Sequence, residues 1–132
     1  MKYARFEELP VWQAGSELAL RTFTLGEKPP LRRHRSLRDQ IERAVLSVSN
    51  NIAEGFERGT TQELLTFLYI ARGSAGEVRS MLCVMKRMAA FENFKFEISR
   101  GKYFAAIARL GGEAAGLSHP RPALLDFEDA RH

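Results

Sequence analysis

Between Gln40 and Glu77 the chain reads QIERAVLSVSNNIAEGFERGTTQELLTFLYIARGSAGE, two helix-like segments broken only by a Gly-Thr joint. At about 100° per residue, Gln40, Ser47, Asn51, Glu54 and Arg58 fall within one narrow sector of the first segment, with Ala44 among them. Leu37, Ile41, Val45, Val48 and Ile52 form a separate apolar stripe roughly a quarter-turn away. A helix packed on one side of a core needs only the apolar stripe. The structured polar face beside it has three readings: a ligand site, a buried polar network or an oligomer contact. The chain therefore reads as an assembling helical protein before it reads as an enzyme.

Strand signals are nearly absent, and four helical segments are predicted. The first follows Pro10 and runs through Val11, Trp12, Leu18 and Phe23 to Leu25, where Gly26-Glu27-Lys28-Pro29-Pro30 breaks it. The second opens at Ser36, with Asp39 as a capping-box-like partner, and ends between Gly55 and Gly59. The third opens at Thr60, where Glu63 completes a Thr-x-x-Glu box, and runs to Ala89. The fourth spans 94–115. The short joints favour adjacent, antiparallel helices, so the expected fold is all-α, an up-down-up-down four-helix bundle over residues 1–115. Residues 116–132, with Pro120 and Pro122, are expected to form an irregular tail.

The third segment carries a main stripe of Phe67, Ala71, Ser74, Val78, Met81 and Met85, flanked by Leu64, Leu68, Ala75 and Leu82. Ile70 and Val84 fall off that stripe, and Gly73 and Gly76 strip bulk from the other side. A helix that is apolar or small nearly all round is buried on more than one side. In so short a chain this predicts packing against a second subunit through Ile70, Gly73, Gly76 and Val84, with close helix approach compensating the glycines.

At 132 residues, 45% hydrophobic and 27% charged, the chain is long enough to bury one core and too apolar for wholesale disorder. A single cysteine, Cys83, leaves no internal disulfide framework. The opening MKYARFEELPVW does not read as a secretory leader, and no window is apolar enough to span a membrane, so a cytoplasmic protein is expected. The net charge is +4, and arginine supplies 15 of the 20 basic residues. Guanidinium groups grip phosphate bidentately, so this balance permits a nucleic-acid partner without requiring one. The candidate contacts are Arg32, Arg33 and Arg35, which flank His34 in what reads as a mobile basic linker, with Arg38 and Arg43 on the next helix. The linker has no aromatic interleaving, so base stacking is not indicated there.

Catalytic constellations do not emerge. His34, His119 and His132 lack metal-ligand spacing, and no metal or other cofactor is expected. Glu54 and Glu77 could approach across two helices, but no Glu-x-x-His pair exists to complete a di-iron bundle site. Phosphate loops, dinucleotide fingerprints and nucleophile elbows are absent from the sequence, and no enzymatic activity is expected.

Phe6-x-x-Leu9-x-Val11-Trp12-Gln13, Gln40-Ile41, Ala44 and Asn51-Ile52-Ala53-Glu54-Gly55 together resemble the 23S rRNA intervening-sequence protein family. The match continues in Phe67-Leu68-x-Ile70-Ala71-x-Gly73-Ser74-Ala75-x-Glu77 and covers residues 6 to 90. The resemblance implies a left-handed antiparallel four-helix bundle that assembles into a homo-oligomeric ring, typically a pentamer. It also implies association with rRNA or other nucleic acid, since some members are encoded inside large-subunit rRNA genes. It carries no catalytic residues, and Asn51, Glu54, Gly55, Ser74 and Glu77 match motif positions without an assigned role. The competing expectation is an adaptor whose oligomer surface docks another protein.

Overall fold

The computed structural model describes residues 3–94, and among these it contains four α-helices and no strand. The fold is all-α. The helices are α1 (Pro10–Gly26), α2 (Pro29–Arg33), α3 (Arg35–Glu57) and α4 (Thr61–Arg87). A 3₁₀ turn at Phe6–Glu8 precedes them, and 3₁₀ turns at Ala89–Phe94 follow. The fourth helix expected over 94–115 and the tail over 116–132 lie outside the described residues.

Pro10 takes the first position of α1, where its missing N–H costs nothing. Just upstream, the Phe6 ring meets the Trp12 ring edge-on at 5.3 Å, and the Gln13 side chain donates to the Glu7 carbonyl at 3.0 Å. These contacts give the first motif a structural reason: it ties the entry segment to α1. Leu9 and Val11 complete the tie from within the core.

α3 is the central element, packed on α1 and on α4. Its apolar stripe behaves as expected, with Ile41, Val45, Val48 and Ile52 each fully buried. Gly15 of α1 faces this stripe, and a Cβ there would stand 3.2 Å from Val48 Cγ1. On the α4 side, a Cβ at Gly55 would stand 2.5 Å from Phe67 Cβ and 3.3 Å from Leu64 Cα. Contacts between α3 and α4 then run in opposite order along the two helices: Gly55 meets Leu64 and Phe67, Ser47 meets Ser74, and Gln40 shares a cleft with Met81.

The joint between α3 and α4 is built from backbone chemistry. Gly59 has φ +89, a left-handed conformation that L side chains rarely adopt, and its N–H donates to the Phe56 carbonyl at 3.2 Å. Thr60 then caps α4: its Oγ1 accepts from the Glu63 N–H at 3.2 Å and donates to the Glu63 carboxylate at 2.7 Å. The expected Thr-x-x-Glu box is thus an N-cap, its Glu held by the hydroxyl. α4 ends at Arg87, two residues before the expected Ala89, with Lys86 and Arg87 in its last turn where the helix dipole favours cations.

Two expectations fail at the other joint. Residues 29–33 form the helical turn α2 instead of a mobile linker, because Pro29 and Pro30 occupy its first positions, where prolines are tolerated, and Leu31 is driven fully into the core. His34 then sits between α2 and α3 with its ring 5.6 Å from that of Phe91, itself fully buried. The Ser36–Asp39 cap is absent: α3 opens at Arg35, with His34 at the N-cap position and no side-chain cap hydrogen bond. A helix that follows another with one residue between has its first turn positioned by packing of Leu31 and His34, which removes the need for a serine cap.

Candidate functional site

The outer face of the α3–α4 pair carries an open cleft of about 450 Å³. Gln40, Arg43 and Ser47 line it from α3, and Ser74, Glu77 and Met81 from α4. At its floor the Ser47 and Ser74 hydroxyls are 2.9 Å apart. The Asn51 amide donates to Ser47 Oγ at 2.9 Å and to the Ser47 carbonyl at 2.7 Å. Since Asn51 supplies a proton to Ser47 Oγ, the Ser47 hydroxyl hydrogen is free to go to Ser74. The polar stripe is therefore, over Ser47 and Asn51, a hydrogen-bonded network that bridges the two helices. Ser74 is buried, which makes the bridge costly to leave half-made.

The rest of the stripe does something else. Glu54 is exposed and held on its own helix by Arg58, Nη2 to Oε2 at 2.9 Å. The Arg58 guanidinium also lies 5.2 Å from the centre of the Phe67 ring, tying the end of α3 to the start of α4. Gln40 and Glu77 are exposed on the cleft walls. The approach of Glu54 to Glu77 is not made: Glu77 shares the cleft with Ala44, ten residues and roughly 15 Å of helix from Glu54. Gly55 belongs to packing, as a point where α3 lies tightly against Leu64 and Phe67 of α4.

On α4, Ile70 and Val84 are 47% and 52% exposed, and nothing among the described residues lies within 4 Å of a Cβ built at Gly73 or Gly76. The close approaches among the described residues fall at Gly15, Gly26 and Gly55 instead.

The arginines divide into two sets. Arg38 donates through Nε to the Glu42 carboxylate at 3.1 Å, and this half-buried pair covers Gly26, where a Cβ would stand 2.9 Å from Glu42 Oε2. Arg38 is thereby committed to the α1–α3 contact. Arg32, Arg33, Arg35 and Arg43 are exposed and have no carboxylate partner among the described residues. Arg32, Arg33 and Arg35 cluster around the α2–α3 junction, whereas Arg43 stands two turns further along α3, on the cleft.

Among the described residues no three His, Cys, Asp or Glu side chains come together as a metal site, and no helix is long and apolar enough to cross a membrane. Cys83 is a free, half-buried thiol on α4. Sequence reading missed Ser80 as a cleft residue, although its place one turn after Glu77 on the same helix would have found it.

The family model for the 23S rRNA-intervening sequence protein matches residues 7–111. The chain belongs to that family. Searches of curated proteins and of solved structures give no match. Within this family member, the motif positions acquire distinct physical duties. Asn51 and Ser74 belong to the inter-helix network, Gly55 allows the helices to meet, Glu54 pairs along α3, and Glu77 stands on the cleft wall without an ion-pair partner among the described residues.

Proposed function

We propose that this protein is a non-catalytic, cytoplasmic bundle that assembles with copies of itself and associates with RNA through phosphate contacts. The observation that carries the reading is the group Arg32, Arg33 and Arg35, exposed and free of carboxylate partners on an ordered helical junction. An arginine held on a helix loses less freedom on meeting a phosphate than one on a mobile loop. Arg43, on the cleft two turns further along α3, stands apart from this group, and Arg38, committed to Glu42, drops out of the contact set. Membership in a family named for insertions in 23S rRNA makes rRNA the natural first substrate to test.

The opposite order of contacts along α3 and α4 supports an antiparallel pair, in keeping with an up-down-up-down, left-handed bundle. Exposed Leu20, Leu46, Tyr69, Ile70 and Val84 support self-association, with five subunits expected from the family resemblance. A ring repeats the arginine junction once per subunit, so a weak patch becomes multivalent.

The test is a salt titration of binding to structured rRNA fragments. Each neutralised phosphate contributes about 0.9 to the log–log slope on duplex and about 0.7 on single strands. Arg32→Ala, Arg33→Ala and Arg35→Ala together flatten that slope and leave the melting temperature unchanged. Equal affinity and equal slope in wild type and triple variant refute the RNA reading. The same exposed apolar side chains also favour the second reading, an adaptor that docks another protein, and that reading stands if RNA binding fails while self-assembly holds.

A further inference from the structure

Besides its core stripe, α4 carries a second seam. Ile70, Ser74, Glu77, Met81 and Val84 follow one another at spacings of four, three, four and three, the repeat by which one helix receives another. α3 presents the matching row Gln40, Ala44, Ser47, Asn51 and Glu54 at the same alternation. The cleft lies between the two rows. Its floor is polar and satisfied, while Met81 and Ala44 in the cleft and exposed Ile70 and Val84 along the seam offer apolar surface to a third helix. Across this groove stand Arg43 and Glu77, exposed, opposite in charge and joined to no partner among the described residues.

The complement of such a groove is an exposed apolar knob beside one acid and one base, and the chain contains it. Leu20, at 63%, is the most exposed large hydrophobic side chain among the described residues. It lies on the outer face of α1 between Glu17 and Arg21, which are one turn apart and paired at 2.8 Å. We infer that the outer face of α1, centred on Leu20, docks in the α3–α4 groove of a second copy of this chain. Leu20 meets Met81 and Ala44, Glu17 meets Arg43, and Arg21 meets Glu77. A helix laid in a groove by its apolar knob, with flanking charges setting the register, is an established mode of recognition. Because ridge and groove are different surfaces, the contact is head-to-tail, and such contacts close into rings when the rotation allows. The inference rests on the self-assembly proposed above and names the two surfaces that perform it.

The experiment is a mixing test read by light scattering. Leu20→Glu destroys the ridge and keeps the groove, whereas Met81→Glu destroys the groove and keeps the ridge. Each variant alone is expected to run as a monomer, and their equimolar mixture as a 1:1 heterodimer and nothing larger, because one ridge-to-groove contact survives. Arg43→Glu, at an exposed position where folding is not at stake, is expected to weaken assembly on the order of tenfold or more, and added Glu17→Arg to restore it. Variants that keep the wild-type mass overturn the inference, as do monomeric variants that form no heterodimer and a charge reversal that Glu17→Arg fails to rescue. A wild-type protein that is itself monomeric instead refutes self-assembly, so the two failures are distinct.

Discussion

Replacing Gly55 by alanine tests the tight approach of α3 to α4. The added Cβ would lie 2.5 Å from Phe67 Cβ, 3.2 Å from Phe67 Cγ and 3.3 Å from Leu64 Cα. Carbon atoms at rest stand about 3.5–4.0 Å apart, so α3 and α4 must separate by roughly 1 Å or Phe67 must leave its position. Overpacking of this kind costs about 1–3 kcal/mol. Alanine also regains about 1 kcal/mol of helix propensity over glycine, which blurs the result for Gly55 alone. Gly73 provides the control: it too is inside a helix, and nothing among the described residues lies within 4 Å of its Cβ position. The propensity term is common to both, so the difference between Gly55→Ala and Gly73→Ala isolates the contact at about 1–3 kcal/mol. Denaturant melts of the two variants measure it, repeated at two protein concentrations so that any contribution from self-association is visible. Gly73→Ala is expected to match or exceed wild type, and Gly55→Ala to fall below it. Equal midpoints for the two would refute the assignment of Gly55 as the packing glycine.

Asn51→Ala removes a donor that serves Ser47 twice and is expected to cost about 1–3 kcal/mol, whereas Glu54→Ala loses one exposed pair and is expected to cost about 0.5 kcal/mol or less. Thermal melts that rank Glu54→Ala as the worse of the two would sink the division of the polar stripe. Thr60→Ala is expected to cost about 1 kcal/mol through loss of the α4 cap, and Thr60→Ser to restore most of it; a melt in which serine is no better than alanine would show that the hydroxyl contributes nothing.

The long helices were legible because their signals are periodic and redundant. Ile41, Val45, Val48 and Ile52 define one face whatever the rest of the chain does, and all four are buried. The α3–α4 joint was legible because Gly59 and Thr60 each satisfy a local need, a positive φ and an N-cap. The α2 junction was misread for a physical reason. Two prolines next to three arginines look like a solvated break, yet Pro29 and Pro30 sit where a helix starts, and Leu31 alone supplies the burial that folds the turn. Only contact with His34, Phe91 and the core decides between those outcomes, and such contacts have no local signature. Glycines were ambiguous in the same way. Gly55 and Gly73 look alike in sequence, and only the neighbouring helix separates them.

The polar stripe was found but assigned as a unit, and its members serve different ends because burial changes along the helix. Ser47 and Asn51 lie where α3 is pressed against α4, so their polar atoms must find one another, and they do. Glu54 is exposed although its neighbour Gly55 is buried against α4, and an arginine one turn on suffices to pair with it. Gln40 and Arg43 lie where the two helices frame an open cleft, and both side chains are exposed there. A subunit that only had to fold would need the apolar stripe of α3 and a solvated remainder. Instead α3 devotes one sector to the core and a second to a groove whose opposite wall is Glu77 and Met81. In the contact inferred above, Arg43 and Glu77 on those walls meet Glu17 and Arg21 of a second copy.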